Sequence, residues 1–222
     1  IYRSTDYGGS WAYIDVGEVI SPVNDIAYDR EISTVVYAAT GWKGDGTGML
    51  RSSDCGQSWQ PMGQGIPELD DVCSLAVEPA APYRVFAMAE SGGLYVSEDH
   101  GVTWTQAASG LVSEEILCTD GNPPALYAAT GGGLLRSTDG GQTWSPAAGV
   151  LGQVPVYSLA TVREGERVIL YAGTTGGYLE GGAAEALSQV NAESNLVNAG
   201  VYRYTTLLRW WVYLPLVVRQ QP

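Results

Sequence analysis

Ser4–Trp11 reads STDYGGSW, and the phrase returns as SSDCGQSW at Ser52–Trp59, SEDHGVTW at Ser97–Trp104 and STDGGQTW at Ser137–Trp144. The common pattern is S-x-D-x-G-x-[ST]-W, approached each time through an apolar pair: Ile1-Tyr2, Met49-Leu50, Leu94-Tyr95 and Leu134-Leu135. Asp6, Asp54, Asp99 and Asp139 follow one another at 48, 45 and 40 residues. Self-similarity at such a period marks a propeller or a solenoid, where each repeat buries its apolar face against the next.

Each phrase reads as a hairpin. An alternating strand such as Leu134-Leu135-Arg136-Ser137 enters, a polar turn carries Asp and Gly, and a second strand leaves through Thr143 and Trp144. Asp accepts hydrogen bonds from the N–H groups of its own turn, and Gly supplies the positive φ. The Trp ring offers an apolar face to a neighbouring sheet. The sixteen residues that build these turns are Ser4, Asp6, Gly8, Trp11, Ser52, Asp54, Gly56, Trp59, Ser97, Asp99, Gly101, Trp104, Ser137, Asp139, Gly141 and Trp144. Together they resemble the Asp-box of the BNR repeat family, which includes sialidases, sortilin-type receptors, xyloglucanases and photosystem assembly factors. The resemblance implies a β-propeller in which the box joins the third and fourth strands of a blade, at the rim and away from the active sites. It therefore implies a structural role for the four Asp residues.

A second element recurs between the boxes. Val72–Val77 (VCSLAV) aligns with Val156–Thr161 (VYSLAT), and more loosely with Asp25–Tyr28 and Ile116–Thr119. About ten residues on come small-residue runs: VYAAT at Val36–Thr40, VFAMA at Val85–Ala89, LYAAT at Leu126–Thr130 and LYAGT at Leu170–Thr174. Short β-branched and aromatic runs bounded by Gly, Pro and Asp are strands. The reading is an all-β chain: a β-propeller of four-stranded blades, about five in number with one incomplete, near residues 1–15, 16–63, 64–108, 109–149 and 150–219. Four inner strand pairs face five outer ones, because Gly200–Thr205 (GVYRYT) repeats the approach to the box without its Asp, Gly and Trp. The chain opens in the middle of a blade and without Met. Truncation or processing of a longer precursor would account for that start. So would strands lent between chains, a form of β-augmentation that gives a filament when it does not close.

The formal net charge is −13, from 24 acidic residues against ten Arg and the single Lys43. Such a surface repels nucleic acid and anionic membranes, and no run reaches the ~20 apolar residues of a membrane span. The expected setting is secreted or cell-surface, with the acidity serving solubility. Cys55 falls in a box, and Cys73 and Cys118 fall in inner strands. An odd count allows at most one disulfide, and the expectation is buried free thiols. The lone His100 sits in a rim turn, so neither a metal site nor a cofactor is implied. Gly41–Gly48 (GWKGDGTG) lacks the order of a phosphate loop and reads as an enlarged blade loop displaying Trp42 and Asp45.

Two segments break the repeat, and these are the expected interaction surfaces. One is the insertion at 178–199, opening on Tyr178. The other is the apolar end at 207–219, with Trp210, Trp211, Tyr213, Leu214 and Leu216, where Pro215 confines the segment to an edge strand or a bulge. Its YLPLV stretch is similar to C-terminal tails of secreted bacterial proteins. The segment either closes the last blade or docks onto another subunit. For an enzyme, the family resemblance would require a convergent Arg cluster and a Tyr–Glu pair, or two opposed carboxylates. Arg3, Arg51 and Arg136 instead occupy one repeated outer-strand position. Asp25, Asp70, Asp71, Glu114 and Glu115 start inner strands, read as solvated ends, and no catalytic pair stands out. The functional expectation is a binding or assembly module whose partner is a protein, itself or a glycan; the alternative is a glycan-acting hydrolase or a fragment of one.

Overall fold

The computed structural model describes residues 1–16, 22–41, 48–67, 70–81, 83–113, 115–119, 124–147, 150–164, 167–174 and 212–216. They form antiparallel β-structure in two compact units, Ile1–Val112 and Ser113–Pro222.

In the first unit, a two-stranded hairpin pairs β1 (Tyr2–Arg3) with β2 (Ala12–Tyr13). Two four-stranded meanders follow. One is β3 (Val23–Tyr28), β4 (Val36–Thr40), β5 (Met49–Ser52) and β6 (Gln60–Met62); the other is β7 (Val72–Val77), β8 (Val85–Ala89), β9 (Gly93–Ser97) and β10 (Thr105–Ser109). The second unit holds a third meander, β11 (Glu115–Thr119), β12 (Ala125–Thr130), β13 (Gly133–Ser137) and β14 (Ser145–Pro146). It also holds a three-stranded sheet, β15 (Val156–Glu164), β16 (Arg167–Thr174) and β17 (Val212–Leu216). All four expected inner pairs are present, and every motif phrase flanked by a full sheet joins that sheet's last two strands.

The composition of the inner strands follows from packing on both faces. β8 and β12 are buried along their whole length, so neither can alternate apolar with polar. Ala38, Ala39, Ala87, Ala128 and Ala129 are completely covered, and small side chains allow the sheets to approach closely. The core of the first unit joins Tyr37, Met49, Val72, Val85, Tyr95 and Trp104. That of the second joins Tyr127, Leu134, Val156, Leu159 and Leu170. First strands share one register: Asp25, Ser74, Glu115 and Ser158 stand opposite Ala39, Met88, Ala129 and Gly173. In three of the four, the ladder shifts just before that level, between Val23/Asp25, Val72/Ser74 and Val156/Ser158.

The end of the chain differs from the sequence reading in one respect. The strand that pairs with β16 is Val212–Leu216, at the third-strand level, with Tyr171 opposite Pro215. The expected Gly200–Thr205 strand lies outside the described residues, as do Trp42, Asp45, Glu114, Tyr178, the 178–199 insertion, Trp210 and Trp211. Tyr213, Leu214 and Leu216 belong to β17, the edge of the sheet among the described residues.

Candidate functional site

The four motif turns share one hydrogen-bond pattern. In the third, Ser97 Oγ donates to Asp99 Oδ1 at 2.7 Å and accepts from Gly101 N at 2.8 Å, while Thr103 N donates to Asp99 Oδ1 at 2.8 Å. The first turn repeats it with Ser4, Asp6, Gly8 and Ser10. The second uses Ser52, Asp54, Gly56 and Ser58, and the fourth Ser137, Asp139, Gly141 and Thr143. Hydrogen bonds from Ser10, then Ser4, hold the Asp6 carboxyl down at about 2. Those from Thr143, then Ser137, do the same for Asp139. The Trp residues diverge. Trp104 is buried and donates Nε1–H to Gly101 O at 3.1 Å, and Trp144 donates to Gly141 O at 2.9 Å. Trp11 stays 63% exposed, so the expected packing of every motif Trp against a sheet is corrected for the first hairpin.

Arg residues just before the motif Ser link one hairpin to the next. Arg3 Nε donates to Cys55 O at 2.8 Å, and Arg51 Nε donates to His100 O at 3.1 Å. Both carbonyls belong to left-handed turn residues, with φ 59° at Cys55 and 58° at His100. Arg136 holds the same position, opposite Tyr127 as Arg51 is opposite Tyr37. Its Nε is buried with no hydrogen-bond partner among the described residues.

Strand-start carboxylates are committed to structure, which corrects their reading as solvated ends. Asp25 Oδ2 accepts from Leu75 N at 2.8 Å and Ser74 Oγ at 3.2 Å, in the adjoining sheet. Glu115 Oε2 accepts from Leu159 N at 2.5 Å, the equivalent contact in the second unit. Asp70 is buried and binds Ser91 through N–H and hydroxyl. Asp71 is buried against Gly41, where an added Cβ would lie 2.4 Å from its Oδ1.

A cluster that the sequence did not announce surrounds His100. Asp29, 1% exposed, accepts from Tyr37 Oη at 2.5 Å and faces His100 Nδ1 at 2.9 Å, and Glu31 lies 3.6 Å from Nε2. Burial alone would raise the Asp29 carboxyl; bonds from Ile32, Tyr37, His100 and Glu31 outweigh it and hold it low. Burial and then Asp29 push the Tyr37 phenol far above its usual value. The only signal in the sequence was a His at a position occupied elsewhere by Tyr, Cys and Gly. The cluster ties one hairpin turn to the β3–β4 connection. None of the three cysteines forms a disulfide; Cys73 and Cys118 are half-buried and Cys55 is exposed in its turn, rather than buried as expected. Among the described residues, no group of His, Cys, Asp or Glu is placed to hold a metal, and no helix is long and apolar enough to cross a membrane.

Comparison with known proteins agrees with these sheets. A xyloglucanase from Paenibacillus sp is 29% identical over 49% of this chain and 13% of its own length. An ancestral GH74 enzyme superposes with a TM-score of 0.58 at 20% identity, over 78% of this chain and 24% of that one. YCF48 bound to a D1 peptide gives 0.50 at 19% identity, over 78% and 54%. The chain thus spans about an eighth of the curated relative and a quarter of the GH74 neighbour, and similarity at this level is one of fold. Residues 26–177, most of the chain, match the model of the DUF6242 beta propeller domain, and the chain belongs to that family.

Proposed function

We propose that this chain is a secreted or cell-surface Asp-box β-propeller that works as a binding or assembly module. The observation that carries this reading is the use of Asp25 and Glu115. A propeller hydrolase needs two carboxylates facing a sugar across a space of roughly 5–10 Å. Here Asp25 and Glu115 are each bound to backbone of an adjoining sheet, and Asp70 and Asp71 are buried, Asp70 against Ser91. The motif turns likewise consume their own carboxylates. What remains for recognition is surface: rim turns, exposed aromatic residues and strand edges, acting on a protein partner, a further copy of the chain or a glycan.

The second reading, a piece of a glycan-acting hydrolase, is favoured by the xyloglucanase relative. Incubation with xyloglucan and measurement of reducing ends separates the two. The expected result is no release of sugar above the no-protein control. Release that disappears in a folded Asp25→Asn or Glu115→Gln variant would establish the hydrolase instead.

A further inference from the structure

Each motif turn places one residue in the left-handed region directly after its Asp. Tyr7, Cys55 and His100 hold φ of 56°, 59° and 58° there, and Gly140 holds 75°. A turn that accepts Tyr, Cys, His or Gly at one place does not itself require an imidazole. His100 is also the single histidine of the chain, and histidine is the side chain that ordinarily changes charge between about pH 5 and 8. We infer that His100 is a pH-sensitive latch between two sheets. Protonated, it binds Asp29 and Glu31 together and fastens the third hairpin turn to the β3–β4 connection; neutral, it keeps Asp29 alone.

Asp29 is the fixed arm. Its side chain is fully buried, and its Oδ1 accepts from Glu31 N at 2.9 Å and Ile32 N at 2.8 Å. Its Oδ2 accepts from Tyr37 Oη and faces His100 Nδ1 at 2.9 Å. Burial would raise this carboxyl, but the hydrogen bonds outweigh it and hold it low. Asp29 is therefore an acceptor throughout, and the ring hydrogen sits on Nδ1. In a neutral imidazole the other nitrogen has none. Nε2 then turns a lone pair toward Glu31 Oε2, 3.6 Å away, and the two repel.

Protonation puts an N–H at Nε2 and replaces that repulsion with an ion pair. The same step gives the buried Asp29 carboxylate a positive charge to face, and buried charges are tolerated when paired and hydrogen-bonded. Among the described residues, His100 is the one ion-pair partner that Asp29 has. Glu31 is the switched arm. Its side chain is 55% exposed, on a connection whose residues 30–34 are all exposed. The latch thus sets how firmly that exposed connection is held to the neighbouring hairpin.

The remaining groups around the ring hold one charge state through the histidine range. Burial and then Asp29 push the Tyr37 phenol, on β4, far above its usual value, so it stays a donor. Burial would raise Asp99, the preceding residue, but bonds from Thr103 and Ser97 outweigh it and hold it low. Arg51, on β5, is the nearby permanent cation, and its Nε is committed to His100 O at 3.1 Å. Against these fixed charges the imidazole is the switch. The added pairing is present on the acid side of the histidine range and is lost as pH rises through it.

Urea denaturation of the whole chain at about pH 5.5 and about pH 8, either side of the histidine range, tests the latch, with His100→Asn and Glu31→Gln beside the unchanged protein. Asn tolerates a left-handed turn position, and Glu31→Gln alters an exposed side chain while keeping the backbone N–H bound to Asp29. The unfolding equilibrium should lose roughly 3- to 10-fold more from His100→Asn at the acid pH than at the alkaline one, because a charge-assisted hydrogen bond is about twice as strong as a neutral one. Glu31→Gln should lose about 2-fold at the acid pH, as exposed ion pairs do, and nothing at the alkaline pH. Circular dichroism checks that each variant is folded before urea is added. A loss from His100→Asn that is equal at the two pH values overturns the inference, as does a Glu31→Gln effect that ignores pH.

Discussion

At the scale of the residue, the motif Asp and Ser are parts of one turn, and their protonation decides its strength. Asp6 and Asp139 are held at about 2, against an ordinary value of 3.8. A carboxylate whose pKa is lower in the folded chain adds stability that is complete above the unfolded value and is lost as pH falls toward the folded one. The Ser10 and Thr143 amide resonances should therefore hold steady from neutrality to about pH 4 and shift with midpoints near 2. Midpoints at the ordinary carboxylate value would refute the hydrogen-bond account. The buried Ser97 offers a stability test. Ser97→Ala strips the acceptor from Gly101 N–H, which costs about 1–3 kcal/mol when the group is buried. Chemical denaturation should show that loss, with Ser4→Ala in the exposed first hairpin losing much less. Gly101 itself tolerates no side chain: its φ is 79°, and a Cβ would stand 2.7 Å from the Tyr37 ring. Gly101→Ala should destabilise by more than the ~1 kcal/mol that a left-handed φ costs alone, read as a fall in denaturation midpoint.

At the scale of the element, strands and turns were legible in the sequence because both leave local marks. VYAAT and LYAAT declared β4 and β12, and the S-x-D-x-G phrase declared each rim hairpin. The bonds between sheets were not legible. Asp25 and Glu115 act on main-chain N–H groups at Leu75 and Leu159, and a backbone donor has no letter. One trace existed: Asp25, Ser74, Glu115 and Ser158 alternate acid with hydroxyl at a single register level, a pattern visible only after the strands are aligned. The Arg links escaped for the same reason, because their acceptors are carbonyls of turn residues as unlike as Cys55 and His100. Replacing Glu115 by Ala should cost about 1–3 kcal/mol through the stranded Leu159 N–H, measured by urea denaturation. Glu115→Gln keeps an acceptor and should recover most of it. An equal loss in both variants would mean that charge, not acceptance, matters there.

At the scale of the whole molecule, net charge sets the conditions for any contact between copies. Each chain carries −13, and like-charged partners repel until salt screens them. The Debye length falls from ~30 Å at 0.01 M to ~10 Å at 0.1 M ionic strength. Association of this chain should accordingly tighten as salt rises, seen as a larger sedimenting species at fixed protein concentration. Weakening with salt would indicate an interface held by ion pairs instead. The inter-sheet bonds have a further consequence, which concerns time. Arg3 waits for Cys55, 52 residues downstream; Arg51 waits for His100, 49 downstream; Glu115 waits for Leu159, 44 downstream. A ribosome adding ~5–20 residues per second takes roughly 2–10 s to deliver each acceptor or donor. The nascent chain therefore secures its sheets in the order of their synthesis, each new sheet locking the one before it while its own Arg or strand-start acid waits for the next.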